Sequence, residues 1–195
     1  MINEINYQSK NDLELVELTL KNQEYFLYII KKYETKLFNY IRRISNLKTE
    51  DIEDVLQDVF IKIYKNLNDF DGNLKFSSWI YRITHNQVIS EYRKNKNRPH
   101  YNTVDIDKIK TIKLADNLDI KKEIDNKILR KNIFKILNKL NIKHKEILIL
   151  KFVEEKNYQE MSDILEKPMG TIASLMNRAK KEFRKEYLKK ELFLK

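Results

Sequence analysis

The chain has 195 residues, with 39 Lys and Arg against 29 Asp and Glu, a formal net charge of +10. It has no cysteine, so a disulfide framework, a thiolate zinc site and a cysteine nucleophile are all excluded. Only two Gly and two Pro occur, which argues against a turn-rich all-β fold and for helices. No run of 18 apolar residues is present, and MINEINYQSKNDLELVEL lacks the basic start and apolar core of a signal peptide. No membrane insertion and a cytoplasmic location are therefore expected. The positive charge is uneven. Residues 1–98 hold 16 Lys/Arg against 14 Asp/Glu, residues 99–127 hold 6 against 6, and residues 128–195 hold 17 against 9. A cationic field concentrated in the last third is the footprint of a polyanion binder.

In chain order, Leu13, Val16, Leu20, Phe26, Leu27, Ile30, Leu37, Ile41 and Ile44 mark the first amphipathic helices. The cleanest periodicity follows, in Ile52, Val55, Leu56, Val59, Phe60, Ile63, Tyr64 and Leu67. Thr49 is the expected N-cap there, and Glu50 and Asp51 suit the positive end of the helix dipole. Asp69-Phe70-Asp71-Gly72-Asn73 is a turn cluster. Ser77 is expected to cap the next helix, with Phe76 stapled onto Tyr81. That helix turns Trp79, Ile80, Ile83 and Val88 inward and places Arg82, His85, Asn86 and Arg93 elsewhere.

Residues 99–126 have balanced charge and broken periodicity, and read as a linker with short helical pieces around 119–126. A second apolar block begins at Ile128 and runs through Leu140. ILILKF at 147–152 could stand alone as a buried strand, but its charged flanks favour a buried helix. Residues 158–184 read as two helices broken at Pro168. Met161, Ile164 and Leu165 line the first, and Ile172, Leu175, Met176 and Ala179 the second. The second also carries Arg178, Lys180, Lys181, Arg184 and Lys185. This is the pattern of a helix-turn-helix DNA reader, with a plain helical hairpin as the bland alternative. The expected fold class is all-α: two small helical domains, 1–98 and 127–195, joined by a flexible linker.

With these motifs in place, the chain resembles the bacterial sigma factors of the extracytoplasmic-function (ECF) group. The resemblance rests on Glu53 to Phe60, on Phe70-Asp71, and on Phe76-Ser77-Ser78-Trp79-Ile80-Tyr81-Arg82-Ile83-Thr84-His85-Asn86. It rests further on Tyr158 to Ser162 and on Gly170 to Ala179. It spans roughly residues 13–188. Two departures stand out. Glu166 occupies a turn position where the family often has Gly. Ala173 and Leu175 stand where it often has cations.

The resemblance implies a dissociable subunit of RNA polymerase that directs the core enzyme to promoters and assists their opening. Asp54, Gln57, Asp58 and Lys62 would dock on core RNA polymerase, at a coiled coil of its largest subunit, with the flap region as a second contact. Asn73, Lys75, Phe76, Arg82, His85, Asn86 and Arg93 would serve the minus-ten element, where the 71–75 loop holds a flipped base. Phe76 is split between staple and base contact, Trp79 reads as core, and the polar flanks of His85 favour exposure. Gly170, Thr171, Ser174, Asn177 and Arg178 would meet the minus-thirty-five element, with Lys181 and Arg184 holding phosphates or simply solvated. Many members of the group are held inactive by an anti-sigma protein.

The alternative from another class is a stand-alone helix-turn-helix regulator, which leaves the first block as mere core. An enzyme is not expected. His85, His100 and His144 are scattered, no metal-ligand spacing or Gly-rich phosphate loop occurs, and no cofactor is anticipated.

Overall fold

The structure is a computed structural model that describes the backbone of residues 10–70, 72–96 and 120–192. These residues form eight α-helices with short 3-10 turns, and no strand occurs among them. The N-terminal half holds α1 (Asp12–Lys21), α2 (Phe26–Ile44), α3 (Thr49–Lys65) and α4 (Phe76–Lys96). The C-terminal half holds α5 (Ile120–Leu137), α6 (Ile142–Phe152), α7 (Tyr158–Leu165) and α8 (Met169–Leu192). The expected linker lies outside the described residues as far as 119, and α5 starts at Ile120. Asp71 also lies outside them.

Local chemistry explains where the helices start. Asn11 caps α1 by accepting from the Glu14 amide at 2.9 Å, and Glu14 returns a bond to the Asn11 amide. Asn157 and Glu160 repeat this reciprocal box at α7. Each box satisfies two amides that have no partner inside the helix. Two expected caps move. Thr49 is the first helical residue, preceded by Lys48, which makes no side-chain capping bond. Ser77 lies inside the first turn of α4, which already begins at Phe76. A boundary shift of this size follows from a sequence pattern that marks helix faces more sharply than helix ends.

The α3 periodicity packs as expected: Ile52, Val55, Leu56, Val59, Phe60 and Ile63 are buried. Tyr64 is the exception. It stays exposed and donates its hydroxyl to Gln23 Oε1 at 2.9 Å. In the first block, Leu13, Leu20 and Leu27 are also exposed, while Tyr28, Ile29, Tyr33 and Tyr40 fill the core. The ILILKF segment is helical, in α6, with Ile147 to Leu150 buried on all sides.

The two halves pack against each other. α4 lies against α7, and α2 against α6. Buried apolar side chains of both halves belong to one contiguous cluster, running from Leu15 to Ala179. Burial of this kind is the main source of stability in a small helical chain.

A candidate promoter interface

α3 turns its apolar stripe inward and leaves Glu53, Asp54, Gln57 and Asp58 exposed. Asp54 and Gln57 lie on the outer surface. Asp58 and Lys62 do more than face solvent. Gln87 of α4, which is buried, donates to Asp58 Oδ2 at 2.9 Å and accepts from Lys62 Nζ at 2.5 Å. These two candidate docking residues thus also fasten α3 to α4.

The start of α4 is an aromatic nest. Phe76 packs edge-on to Tyr33 and Phe70 and stacks on Trp79, with ring centroids 5.1 to 6.1 Å apart. No such pairing with Tyr81 is formed among these rings. Phe76 is only 2% exposed, so in this structure its expected base contact is closed off, and the side chain is core. Trp79 is core as well, at 7%. The preceding loop turns at Gly72, whose φ of +75° suits a residue without Cβ. Asn73 and Lys75 on this loop are exposed, as are Asn86 and Arg93 further along α4.

Sequence reasoning placed these α4 side chains but not their neighbours. Lys75 Nζ lies 3.0 Å from Glu160 Oε1, and Arg82 lies 3.8 Å from Glu166. Asn86 donates to Glu166 Oε2 at 3.3 Å. His85, expected to be exposed, is largely covered, with Nδ1 2.6 Å from Glu146 Oε1. Glu146 reaches it from α6, and the polar residues around His85 in sequence could not report that. Tyr40 donates to the same Glu146 oxygen at 2.7 Å. Next to them, Glu154 accepts from Arg43 at 2.8 Å and from the Tyr81 hydroxyl at 2.7 Å. Lys156 sits 4.5 Å from the centroid of the Tyr81 ring.

Electrostatics at this seam follow from burial. Tyr40 and Tyr81 are held well above the usual phenol range, first by desolvation and then by the carboxylates Glu146 and Glu154. Burial lowers Lys145, whose Nζ donates to Asn46 at 3.3 Å, to about 8. Burial also lowers Lys156 against the pull of Glu160 and Glu154. For Glu160, burial alone would raise the carboxyl. The Asn157 amide, Lys75 and Lys156 outweigh it and leave Glu160 below its ordinary value. Tyr40, Glu146, Glu154 and Gln87 were not singled out from sequence, and Tyr81 was read only as a staple partner for Phe76. The one available signal was Glu146, a carboxylate standing at the head of the apolar run 147–150.

α7 and α8 form the expected helix-turn-helix. α7 ends at Glu166, which adopts the left-handed conformation with φ 52° and ψ 48°. The turn therefore keeps a geometry that glycine would reach without strain, although the residue is Glu. Ser162 secures it by donating to the Lys167 carbonyl at 2.5 Å. In α8, Ile172, Met176 and Ala179 are buried, and Leu175 is half-buried. Gly170, Thr171, Ser174, Asn177, Arg178, Lys181 and Arg184 are all exposed. A Cβ built on Gly170 would meet nothing within 4 Å, so this glycine is not required by packing. The exposed face of α8 offers hydroxyls and an amide near its start and cations further on, the chemistry of a major-groove reader.

Among the described residues, no group of three or more His, Asp or Glu side chains is set to hold a metal ion. No helix among them is long and apolar enough to cross a membrane.

Comparison with known proteins agrees with both halves. Residues 29–98 match the family Sigma-70 region 2, and residues 130–183 match Sigma-70, region 4. The chain is 28% identical to the ECF RNA polymerase sigma factor SigW of Bacillus subtilis over 178 residues, covering 85% of this chain and 90% of that protein. It is also 28% identical to the ECF RNA polymerase sigma-E factor of Escherichia coli K12 over 179 residues, covering 87% and 90%. Two solved structures share the fold, each with a TM-score of 0.63. One is CnrH in complex with the cytosolic domain of CnrY, at 20% identity over 89% of this chain and 94% of that one. The other is the sigma factor RpoE with the anti-sigma factor NepR from Bartonella quintana, at 21% identity over 83% and 96%.

An all-helical chain with a region 2 followed by a region 4 is a sigma-type transcription initiation factor. This chain belongs to the ECF group of RNA polymerase sigma factors, subunits that direct the core enzyme to promoters.

Proposed function

We propose that the tasks of this sigma factor are divided between its halves: residues 1–98 dock on core polymerase and read the minus-ten element, and residues 127–195 read the minus-thirty-five element. The observation that carries this reading is the pair of outward faces. α3 presents acidic and amide groups outside its apolar stripe, and α8 presents small polar groups and cations opposite its own. Carboxylates on α3 suit a basic protein surface, such as a coiled coil of the largest polymerase subunit. Hydroxyl, amide and guanidinium groups on α8 suit base edges and phosphates.

On α4, Arg82, His85, Asn86 and Arg93 supply donors for an opened strand, with Asn73 and Lys75 on the adjoining loop. The flap region of the polymerase is the second docking point. Working with core polymerase places the protein in the cytoplasm, and its task requires no catalytic centre of its own. CnrH and RpoE were solved with CnrY and NepR bound. A partner of that kind acting here would have to accommodate or part the seam between α4 and α7. The stand-alone regulator reading gives residues 29–98 no task, and their match to region 2 speaks against it.

The test is run-off transcription by core polymerase on random genomic fragments, with and without the protein. Discrete new start sites that require the protein support the reading. Operator binding by the free protein with no effect on start-site choice would overturn it.

A further inference from the structure

A cleft of about 640 Å³ opens between the start of α1, the middle of α2, the first turns of α4 and the turn that follows α6. Two of its carboxylates are spent on neighbours. Asp12 lies 2.9 Å from Lys32 Nζ and accepts from the Tyr33 hydroxyl at 2.6 Å. Glu154 accepts from Arg43 and from Tyr81. Two ammonium groups in the lining are not matched in this way. Lys36 of α2 is exposed and lies over the Tyr33 ring, 5.7 Å from its centroid. Lys156, half-buried, lies over the Tyr81 ring and reaches only Ser77 Oγ, at 3.5 Å. Neither forms an ion pair with a carboxylate among the described residues. Burial lowers the pKa of Lys156, and the nearby charges of Lys36 and Lys75 add to this against Glu160 and Glu154. The remaining carboxylate, Glu155, is exposed at the rim.

We propose that this cleft binds a small anion carrying a diphosphate, held between Lys36 on one wall and Lys156 on the other, with the Ser77 hydroxyl beside it. A half-buried ammonium without a carboxylate is costly, and an anionic ligand relieves that cost. Lysine serves phosphate as a compact point charge, through charge-assisted hydrogen bonds. A diphosphate spreads its charge over two phosphoryl groups, so it can meet two ammonium groups that approach from different elements. Orthophosphate meets them less well. The volume of the cleft lies in the range of small-molecule sites. Lys36, Ser77, Glu155 and Lys156 have no part in the docking, minus-ten or minus-thirty-five assignments, so the site stands apart from those readings. A ligand there touches α2 and the turn after α6 together, and should stabilise the folded chain by mass action.

The test is calorimetric titration of the full-length protein with sodium pyrophosphate, in metal-free buffer at physiological ionic strength, where attraction between exposed charges is screened beyond about 8 Å. One-to-one binding is expected, with a melting temperature that climbs as pyrophosphate is added. Lys36→Gln/Lys156→Gln should weaken binding about tenfold or more, and Glu155→Gln should tighten it about 2- to 5-fold by removing a like charge at the rim. Lys36→Glu alone, at an exposed position, should also weaken binding about tenfold, and it carries the test if the Lys156 substitution loosens the fold. Orthophosphate should bind about tenfold more weakly than pyrophosphate. ADP distinguishes the sources of the diphosphate: binding as tight as that of pyrophosphate, or tighter, identifies a nucleotide, and weaker binding a free diphosphate. No saturable binding of pyrophosphate would overturn the proposal. So would binding undiminished by the Lys36 and Lys156 substitutions, which would come from exposed cations elsewhere, such as those of α8. Orthophosphate binding as tightly as pyrophosphate would overturn the diphosphate class.

Discussion

Glu146 Oε1 is shared between His85 Nδ1 at 2.6 Å and the Tyr40 hydroxyl at 2.7 Å, so one buried carboxylate of α6 ties together α2 and α4 of the opposite half. Its partners are 61 and 106 residues away in sequence. Glu146→Ala leaves both without an acceptor in a buried site. It should lower the unfolding free energy by about 2–3 kcal/mol, since a hydrogen bond to a charged group contributes roughly 1.5–3 kcal/mol. Glu146→Gln retains an acceptor and should lose less. Urea unfolding followed by circular dichroism measures both. Equal stability of Glu146→Ala and the native chain would show that the seam does not contribute to folding.

Lys145 sets an alkaline pH dependence. Its folded pKa, about 8, lies below the unfolded value near 10.5, because burial disfavours the ammonium. Between those values the unfolded chain binds the extra proton, so stability rises with pH across that window. The rise should amount to about 2 kcal/mol from pH 7 to 10. Tyr33, Tyr40 and Tyr81 act oppositely. Their folded pKa values are raised, so their contribution is full below pH 10 and falls away above it. Stability should therefore peak near the top of the Lys145 window. Lys145→Met should flatten the rise while leaving the fall in place. Unfolding curves collected from pH 7 to 11 provide the check.

Docking on core polymerase should depend on Asp54 more cleanly than on Asp58. Asp54 is exposed on α3, so Asp54→Lys should weaken core binding about tenfold or more while changing stability by less than about 0.5 kcal/mol. Asp58→Lys should weaken docking too, but it also removes the acceptor for Gln87 and should loosen α3 from α4. Binding to core polymerase, read beside thermal unfolding, separates the two effects. Unchanged binding by Asp54→Lys would make it a plain surface charge.

Promoter choice should divide between α4 and α8. Exchanging residues 170–178 for those of another ECF sigma factor should move the minus-thirty-five preference alone. Base-edge contacts of this type each contribute about 1–3 kcal/mol of discrimination. Lys75→Ala, Arg82→Ala or Asn86→Ala should instead alter minus-ten use and impair opening more than duplex binding. Transcription from a library randomised at both elements reads out each preference. A shift of the minus-ten preference by the 170–178 exchange would reverse the assignment.

The turn at Glu166 offers a stability test with two opposing parts. Glu166→Gly relieves a left-handed backbone that L side chains reach at a penalty of roughly 1 kcal/mol. It also removes the acceptor for Asn86 and the charge near Arg82. Glu166→Asn keeps tolerance of that backbone, with a shorter, uncharged side chain. Both variants should unfold within about 1 kcal/mol of the native chain, because backbone relief and lost rim contacts are similar in size. A loss well beyond that would mean that the rim contacts hold the seam together.

The sequence by itself determined the helices, the order of the two halves and the outward face of α8. These depend on local spacing. A period of 3.6 residues brings Ile172, Met176 and Ala179 to one side and leaves Thr171, Ser174 and Arg178 on another, whatever the rest of the chain does. The helix break at Pro168 was legible for the same reason. Exact starts were less so: Lys48 rather than Thr49 precedes α3, because several residues near a helix end can serve as its boundary. Exposure of Leu13, Leu20 and Leu27 was not legible, since amphipathic spacing does not say which of several apolar residues meets the opposing helix. Tertiary structure alone decided the state of the minus-ten face. Lys75, Arg82, His85 and Asn86 read as a surface ready for DNA, and each instead meets a carboxylate 61 to 85 residues away. Only the packing of α6 and α7 against α2 and α4 brings those carboxylates within reach, and periodicity along one helix carries no record of what lies across from it.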